Sequence, residues 1–301
     1  MPFATSKTLD HGTANPVVAR LLLQIRDIMP FCKIAKDVED GILGLCMKPL
    51  APGLLRCWEI RDRYEAEFQR QIETCKNQIP NAQIIQIPWI TTLDQGCQNF
   101  LYEAKNFLRD LMQLFNLLYG TKFKDASDYL PPKGAKPKSK GAKPSSSVLR
   151  FAEQTFGSTD PRTIFFKRLA SDVDRIITYR NAVEHPNGYA GPLEIRNFQL
   201  KDDKLVEPCW WLPKDVNAHP APIRADLTAI IATLLTLAEY IFVSWAAQNL
   251  KFPKFNQIQL IPKEHRDPKG PVKYVVSASN ELLQLIAEHE KQEAAKAVNR
   301  N

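Results

Sequence analysis

A single long amphipathic segment, residues 92–120, constrains the fold more than any other part of the chain. It opens with Thr92-Leu-Asp-Gln95, which matches a capping box, and it ends at Gly120, where a helix C-terminal glycine belongs. Its apolar residues form two series with a seven-residue repeat: Cys97, Ala104, Leu111 and Leu118, and Leu101, Leu108 and Phe115. A helical stripe this broad needs two or more partner helices. The segment therefore predicts a multi-helix fold.

Asn15 and Asp160, each followed by a proline, are predicted helix caps. Other stretches with helical periodicity supply those partner helices. They are residues 16–29, 55–77, 147–156, 161–185, 227–247 and 278–297. The prolines near position 50 (Pro49, Pro52) predict a looser stretch before the second helix. Residues 81–90 alternate in polarity and predict a short strand or an extended connector.

Only small β elements are expected beside the helices. Residues 194–212 predict a hairpin that turns at Asp202-Asp203, and residues 257–261 and 272–276 predict a small strand pair. The fold class is therefore mainly α, with extra N-terminal helices and β-hairpin decorations.

The net charge of +7 favours an anionic partner, but much of the excess lies in one low-complexity segment, residues 131–147. Its five lysines are Lys133, Lys136, Lys138, Lys140 and Lys143. Such a composition cannot build a core and predicts a mobile loop. The loop is either a substrate-binding arm that attracts phosphates or a solvated linker without interleaved aromatic residues.

A cytoplasmic location without membrane insertion fits the rest of the composition. The six cysteines form no C-x-x-C pair, which indicates reduced thiols, and the first residues lack a signal peptide. Residues 227–247 are long enough to span a bilayer, but Glu239 near their centre would cost about 2.5–3.5 kcal/mol on insertion scales. A helix buried within the protein explains the same composition.

Most familiar catalytic signatures are absent. The chain has no phosphate-binding P-loop, no G-x-G-x-x-G, no H-E-x-x-H and no G-x-S-x-G. Cys209 and His219 could be imagined as metal ligands, but a single pair is poor support for a metal site. We therefore expect neither a metal nor another cofactor.

The remaining candidate is the end of the 161–185 helix. Its apolar stripe continues to a cation, Arg180, and the helix ends at His185, before Pro186. Asn181 lies four residues before His185, so its amide could reach the imidazole and select the tautomer. Arg180 lies about 140° round the helix axis from His185, so the two converge only if the helix unwinds there or a second copy supplies one of them.

Arginine and histidine together suit RNA cleavage. The guanidinium is a fork of donors for phosphate oxygens, and the imidazole can take the proton from a ribose 2′-hydroxyl near neutral pH. The structural alternative is that Arg180 pairs with Glu184 one turn later and that His185 merely ends the helix.

Arg180-Asn-x-x-x-His185, late in a predicted helical bundle, resembles the R-x(4–6)-H motif of the HEPN superfamily, in which a polar residue commonly follows the arginine. The resemblance covers about residues 92–250. It implies an up-and-down bundle of four to five helices and a metal-independent endoribonuclease with Arg180 and His185 catalytic and Asn181 supporting. It also implies a homodimer with both motifs lining one cleft. A supporting acidic residue is expected from a neighbouring helix, with Glu103 and Glu153 as candidates.

These inferences divide the chain into an N-terminal helical region (1–90), a HEPN-like antiparallel bundle (91–250) and a C-terminal segment with a helix (251–301). The expected function is RNA cleavage, and the family analogy suggests a toxin or antiviral defence effector with an antitoxin or defence-system partner. A non-catalytic, nucleic-acid-binding or regulatory HEPN-like module is the first alternative. A purely structural helical protein is the second.

Overall fold

The computed structural model describes residues 10–78, 87–130, 146–202, 204–215 and 218–298. Helices dominate these ranges and strands are few and short, which confirms the mainly α class. Residues 81–86 of the predicted strand or connector lie outside the described residues, and residues 87–90 have no regular secondary structure.

The α-helices follow one another along the chain with short connections in several places. In chain order they are α1 (Pro16–Val18), α2 (Gln24–Ile28), α3 (Lys36–Leu45), α4 (Ala51–Gln78), α5 (Leu93–Tyr119), α6 (Ser147–Phe156), α7 (Pro161–Glu184), α8 (Ile223–Gln248) and α9 (Asn280–Val298). Two π-helical turns link neighbours: Ala19–Leu23 joins α1 to α2, and Cys46–Leu50 joins α3 to α4.

Several helix ends lie where local signals predict them. Asn15 caps α1 by accepting a hydrogen bond from the Val17 N–H at 2.9 Å. Asp160 caps α7 by accepting from the Arg162 N–H at 2.8 Å. Gly120 follows α5 with a φ of 66°, the left-handed conformation that glycine adopts without strain.

The predicted loose stretch around Pro49 and Pro52 is wrong, because the chain is helical from α3 through α4. Pro49 lies inside the π-helical turn Cys46–Leu50. A π-helical turn changes the hydrogen-bond ladder locally, so it can accommodate a residue that lacks an N–H. Pro52 is the second residue of α4, within the first turn.

The strands form three small antiparallel sheets. They are β1 (Glu194–Arg196), β2 (Gln199–Lys201), β3 (Lys204–Val206), β4 (Cys209–Trp211), β5 (Ala221–Pro222), β6 (Asn256–Leu260) and β7 (Tyr274–Ala278). β2 pairs with β3, β6 pairs with β7, and β4 lies between β1 and β5. Gln199 lies opposite Val206, which confirms the predicted hairpin.

The chain packs into two compact units. Unit 1 contains the described residues of 1–51, 117–120 and 238–301, and unit 2 contains those of 52–116 and 121–237. This grouping differs from the predicted division at residues 90 and 250, since most of α4 belongs to unit 2 and the end of α8 belongs to unit 1.

Unit 1 buries the carboxylate of Glu239, which is 1% exposed, on the apolar helix α8. Arg20 donates to it from Nε at 2.9 Å and Gln24 from Nε2 at 3.0 Å, and the Lys273 ammonium lies 3.3 Å away. Two partly exposed cations therefore compensate the buried negative charge of Glu239.

Among the described residues, α8 is the only helix long and apolar enough to cross a membrane. That criterion concerns length and composition alone. In the structure 67% of its most apolar window is buried.

Unit 2 holds most of the α5 stripe. Phe115 of α5 packs on Phe151 of α6 and Phe166 of α7, with ring centroids 5.4 and 5.8 Å apart. The Cys57 thiol of α4 lies 3.9 Å from the Phe100 carbonyl oxygen. Three helices thus contact α5. Further along the pair, Tyr102 and Lys105 of α5 lie beside Arg180 and Asn181 at the end of α7.

Candidate functional site

The predicted residues Arg180, Asn181 and His185 line one open cleft in unit 2, with a volume of about 540 Å³. The cleft lies at the C-terminal end of α7 and beside α5. Its other lining residues are Lys105, Glu184, Gly188, Tyr189 and Ala190.

The chain leaves the helix at His185, as the sequence suggested. Glu184 is the last residue of α7, and His185 has a φ of −131° and a ψ of 68°, outside the helical region. The Gly188 N–H then donates to the His185 carbonyl oxygen at 2.7 Å and closes a tight turn. A Cβ atom on Gly188 would lie 2.9 Å from that oxygen, so only glycine fits there without a shift.

Arg180 is mostly enclosed, with 18% of its side chain exposed. Its guanidinium lies over the Tyr102 ring of α5, 5.3 Å from the centroid. Nη2 donates to Glu184 Oε1 at 2.8 Å, and Nη1 forms an ion pair with Oε2. The buried Nε has no hydrogen-bond partner among the described residues.

His185 is the exposed member of the site, with 68% of its side chain open to solvent. Its Nε2 lies 3.3 Å from Glu184 Oε2, the same oxygen that pairs with Arg180. The carboxylate of Glu184 therefore lies between the guanidinium and the imidazole. Both features of the structural alternative, the Arg180–Glu184 pair and His185 at the helix end, are present.

The amide of Asn181 contacts Lys105, Arg180 and Tyr189 and not the imidazole of His185. Its Oδ1 accepts a hydrogen bond from Lys105 Nζ at 3.3 Å and lies 3.5 Å from Arg180 Nη1. Its Nδ2 lies 3.4 Å from the Tyr189 hydroxyl. The amide thus orients the two cations, and within the described ranges the polar side-chain contact of His185 is with Glu184. The spacing of four residues would allow the Asn181 amide to contact the His185 imidazole. In the structure the amide contacts Lys105, Arg180 and Tyr189 instead.

Lys105 is a site residue that the sequence did not reveal. It reaches the cleft from α5, 76 residues away from Asn181 in the chain. Partial burial lowers the pKa of its ammonium, the nearby Arg180 charge lowers it further, and Asp125 opposes both effects. No local signal distinguishes this lysine from others on helix surfaces.

Both acidic residues suggested as supports are engaged elsewhere. Glu103 pairs with Arg56 at 2.9 Å and Glu153 with Lys167 at 2.7 Å, and neither lines the cleft. The acidic residue of the site is Glu184, inside the motif itself. Its spacing of four residues from Arg180 was the available signal.

The lysines proposed as a phosphate-attracting arm, Lys133, Lys136, Lys138, Lys140 and Lys143, lie outside the described residues. Among the residues that are described, no cluster of three or more His, Cys, Asp or Glu side chains could hold a metal ion. All six cysteines are free thiols, and burial raises the pKa of Cys32 to about 11 and that of Cys46 to about 12.

Neither a family model, nor a curated protein, nor a solved structure matches this chain.

Proposed function

We propose that the protein is a metal-independent endoribonuclease of the HEPN type, with Arg180 and His185 as catalytic residues and Asn181 as a supporting residue. The observation that carries this proposal is that the guanidinium and the imidazole line one open cleft and contact the same Glu184 carboxylate. A phosphate group that displaced the carboxylate would meet both.

The reaction is a transesterification within the RNA strand. His185 accepts the proton of a ribose 2′-hydroxyl, and the 2′-oxygen forms a bond to the adjacent phosphorus. Arg180 donates hydrogen bonds to the phosphate oxygens as negative charge develops on them. The bond from phosphorus to the 5′-oxygen then breaks, and the imidazolium returns its proton to that oxygen. The products are a 2′,3′-cyclic phosphate and a 5′-hydroxyl.

The helices within residues 92–250, α5, α6, α7 and α8, would form the HEPN-like bundle. The proposal includes a homodimer whose two motifs share a cleft, a cytoplasmic location, and the 131–147 lysines as an RNA-binding arm. Deleting residues 132–146 should then weaken the salt dependence of RNA binding. A chain that sediments as a monomer while it cleaves at its full rate would contradict the shared cleft.

A cleavage assay on single-stranded and structured RNAs with excess chelator tests the activity. The expected result is cutting that leaves 2′,3′-cyclic phosphate ends and that falls by at least about 100-fold in His185→Ala, since positioned general acid–base groups contribute this much or more. His265→Ala is the matched control, because His265 lies outside the cleft. Undiminished cleavage by His185→Ala would overturn the assignment.

The occupied guanidinium favours a second candidate, a non-catalytic nucleic-acid-binding or regulatory module. Glu184 already satisfies two donors of Arg180, so the pair can serve structure alone. Salt-sensitive RNA binding without cleavage of any tested RNA would favour this module over the enzyme. A role as toxin or defence effector follows only if cleavage is found.

A further inference from the structure

One amide oxygen brings two cations from different helices together in the cleft. Asn181 Oδ1 lies 3.3 Å from the Lys105 ammonium of α5 and 3.5 Å from Nη1 of Arg180 on α7. Like charges this close repel one another, and the repulsion is stronger where burial reduces the screening by water.

The carboxylate in the cleft does not neutralise both cations. Glu184 pairs with Arg180 and contacts His185. Lys105 has only the neutral amide as a hydrogen-bond partner and forms no ion pair among the described residues. With Lys105 and Arg180 positive and Glu184 negative, these three side chains leave the cleft with an excess positive charge.

Lys105 is partly buried, and burial makes its positive charge costly to keep. Burial and the nearby Arg180 lower the pKa of the ammonium and Asp125 partly opposes them, so the charged form is held in the cleft against a net cost. A lysine that served packing alone would normally extend its charge into water. A cleft that keeps an excess of positive charge raises the local concentration of anionic ligands.

We infer, resting on the proposed function for the choice of ligand, that Lys105 binds the RNA phosphodiester beside Arg180. α5 and α7 then each supply one cation to the same phosphate group, and Asn181 holds the two side chains in register. Arg180 supplies a planar fork of donors, and Lys105 supplies a point charge.

Binding of a mixed-sequence 2′-O-methyl oligonucleotide tests this inference, since a strand without free 2′-hydroxyls binds but is not cleaved. The affinity of the full chain is measured by fluorescence anisotropy at several KCl concentrations. In Lys105→Met the slope of log affinity against log salt should become shallower by about 0.7, the change expected for one lost contact to a single-strand phosphate. Lys105→Arg, which keeps the charge, should retain the wild-type slope.

Lys122→Met is the charge-matched control, because Lys122 is exposed, belongs to unit 2 and lies outside the cleft. Melting temperatures report on folding, and we expect Lys105→Met to melt at or above the wild-type temperature because it removes repulsion with Arg180. If the lost hydrogen bond to Asn181 destabilises Lys105→Met, the salt slope is measured in Lys105→Gln, which removes the charge but keeps a hydrogen-bond donor.

The possible results distinguish the role of Lys105 in binding from the proposed ribonuclease activity. A wild-type slope in a folded Lys105→Met or Lys105→Gln variant overturns the role of Lys105, and His185-dependent cleavage in the parent would still support the enzyme. If the salt slope becomes shallower in Lys105→Met but the wild-type chain cleaves no RNA, Lys105 is supported as a phosphate ligand and the proposed ribonuclease activity is overturned. A wild-type chain that does not bind the oligonucleotide at low salt overturns the inference.

Discussion

Arg180 and Glu184, one helical turn apart on α7, form a two-point ion pair in which Nη2 donates to Oε1 at 2.8 Å while Nη1 contacts Oε2. The same Oε2 lies 3.3 Å from His185 Nε2. Glu184 thus occupies the position between the two proposed catalytic groups, where a phosphate oxygen would have to enter. Any anionic ligand must compete with this carboxylate.

Replacing Glu184 by Gln should therefore tighten the binding of an uncleavable 2′-O-methyl oligonucleotide. One negative charge about 4 Å from a phosphate opposes binding by about 1 kcal/mol in water, which corresponds to about fivefold in affinity. The free energy of unfolding should fall by only about 0.3–0.5 kcal/mol, because the pair is an i,i+4 contact at the edge of an open cleft. Anisotropy titration and urea denaturation measure the two effects.

Glu153→Gln is the control for this substitution, since Glu153 pairs with Lys167 outside the cleft. It should leave affinity unchanged. If Glu184→Gln binds no better than the parent, the carboxylate does not compete with the ligand, and Arg180 is then a structural residue of α7.

The lowered pKa of Lys105 predicts a pH dependence of binding. Its first cause is burial and its second is Arg180, with Asp125 acting in the opposite sense. Only the charged ammonium attracts a phosphate, so its contribution is lost as pH rises through a pKa below 10.5, the ordinary value. Affinity should fall at a lower alkaline pH in the wild type than in Lys105→Arg, whose guanidinium stays charged. Titrations over the alkaline range check this, and coincident curves would contradict it.

The lowered pKa of Lys105 also predicts how the free energy of unfolding changes with pH. Because the folded-state pKa lies below the unfolded one, the unfolded chain binds more protons between the two values, and the free energy of unfolding rises with pH there. Lys105→Met should lack this rise. Urea denaturation of both proteins across the interval measures the difference.

The sequence predicted the parts of the fold that depend on neighbouring residues. The caps Asn15 and Asp160, the glycine after α5 and the turn between β2 and β3 each follow from a few adjacent side chains. Pro49 shows the limit of such reasoning, because its effect depends on whether the helix can change to a π-helical turn locally. Packing decides that choice, and a short sequence window does not contain the packing.

The same distinction applies to the candidate site. Arg180, Asn181, Glu184 and His185 lie on one helix end, so their approximate separation follows from helix geometry and could be predicted. Lys105 and Tyr102 arrive from α5, and their approach depends on how the α5 stripe packs against α7. Asn181 shows the same limit. Its amide contacts Lys105 and Tyr189, whose positions do not follow from the geometry of α7, and it does not contact His185 as expected.

Removal of the Asp226 carboxylate should strongly destabilise unit 2. Asp226 is 9% exposed and accepts two hydrogen bonds from Arg175 Nη1, at 2.8 and 2.7 Å, and one from Trp210 Nε1 at 2.7 Å. Asp226→Ala leaves a partly buried cation and a buried indole N–H without this acceptor, so the free energy of unfolding should fall by about 2–3 kcal/mol. Denaturant titration measures this.

Asp174→Ala is the control on α7, since Asp174 is exposed and accepts a hydrogen bond from the exposed Thr178 hydroxyl at 3.2 Å. It should change the free energy of unfolding by no more than about 0.5 kcal/mol. Equal effects of the two substitutions would show that the Arg175–Asp226–Trp210 network adds nothing to stability.

The turn after α7 gives the most direct test of whether His185 must be held in place. In Gly188→Ala the new Cβ would lie 2.9 Å from the His185 carbonyl oxygen and 3.3 Å from its Cβ, so the backbone that carries the imidazole must shift. If His185 is the general base, cleavage should fall by about 10–100-fold, since small misplacements of catalytic groups cost this much. If Lys105 and Arg180 bind the phosphate as proposed, the affinity for the oligonucleotide should stay near the wild-type value. Gly96→Ala is the control, because a Cβ there meets nothing within 4 Å and the position lies outside the cleft. A Gly188→Ala variant that cleaves as fast as Gly96→Ala would show that the position of His185 does not limit the reaction.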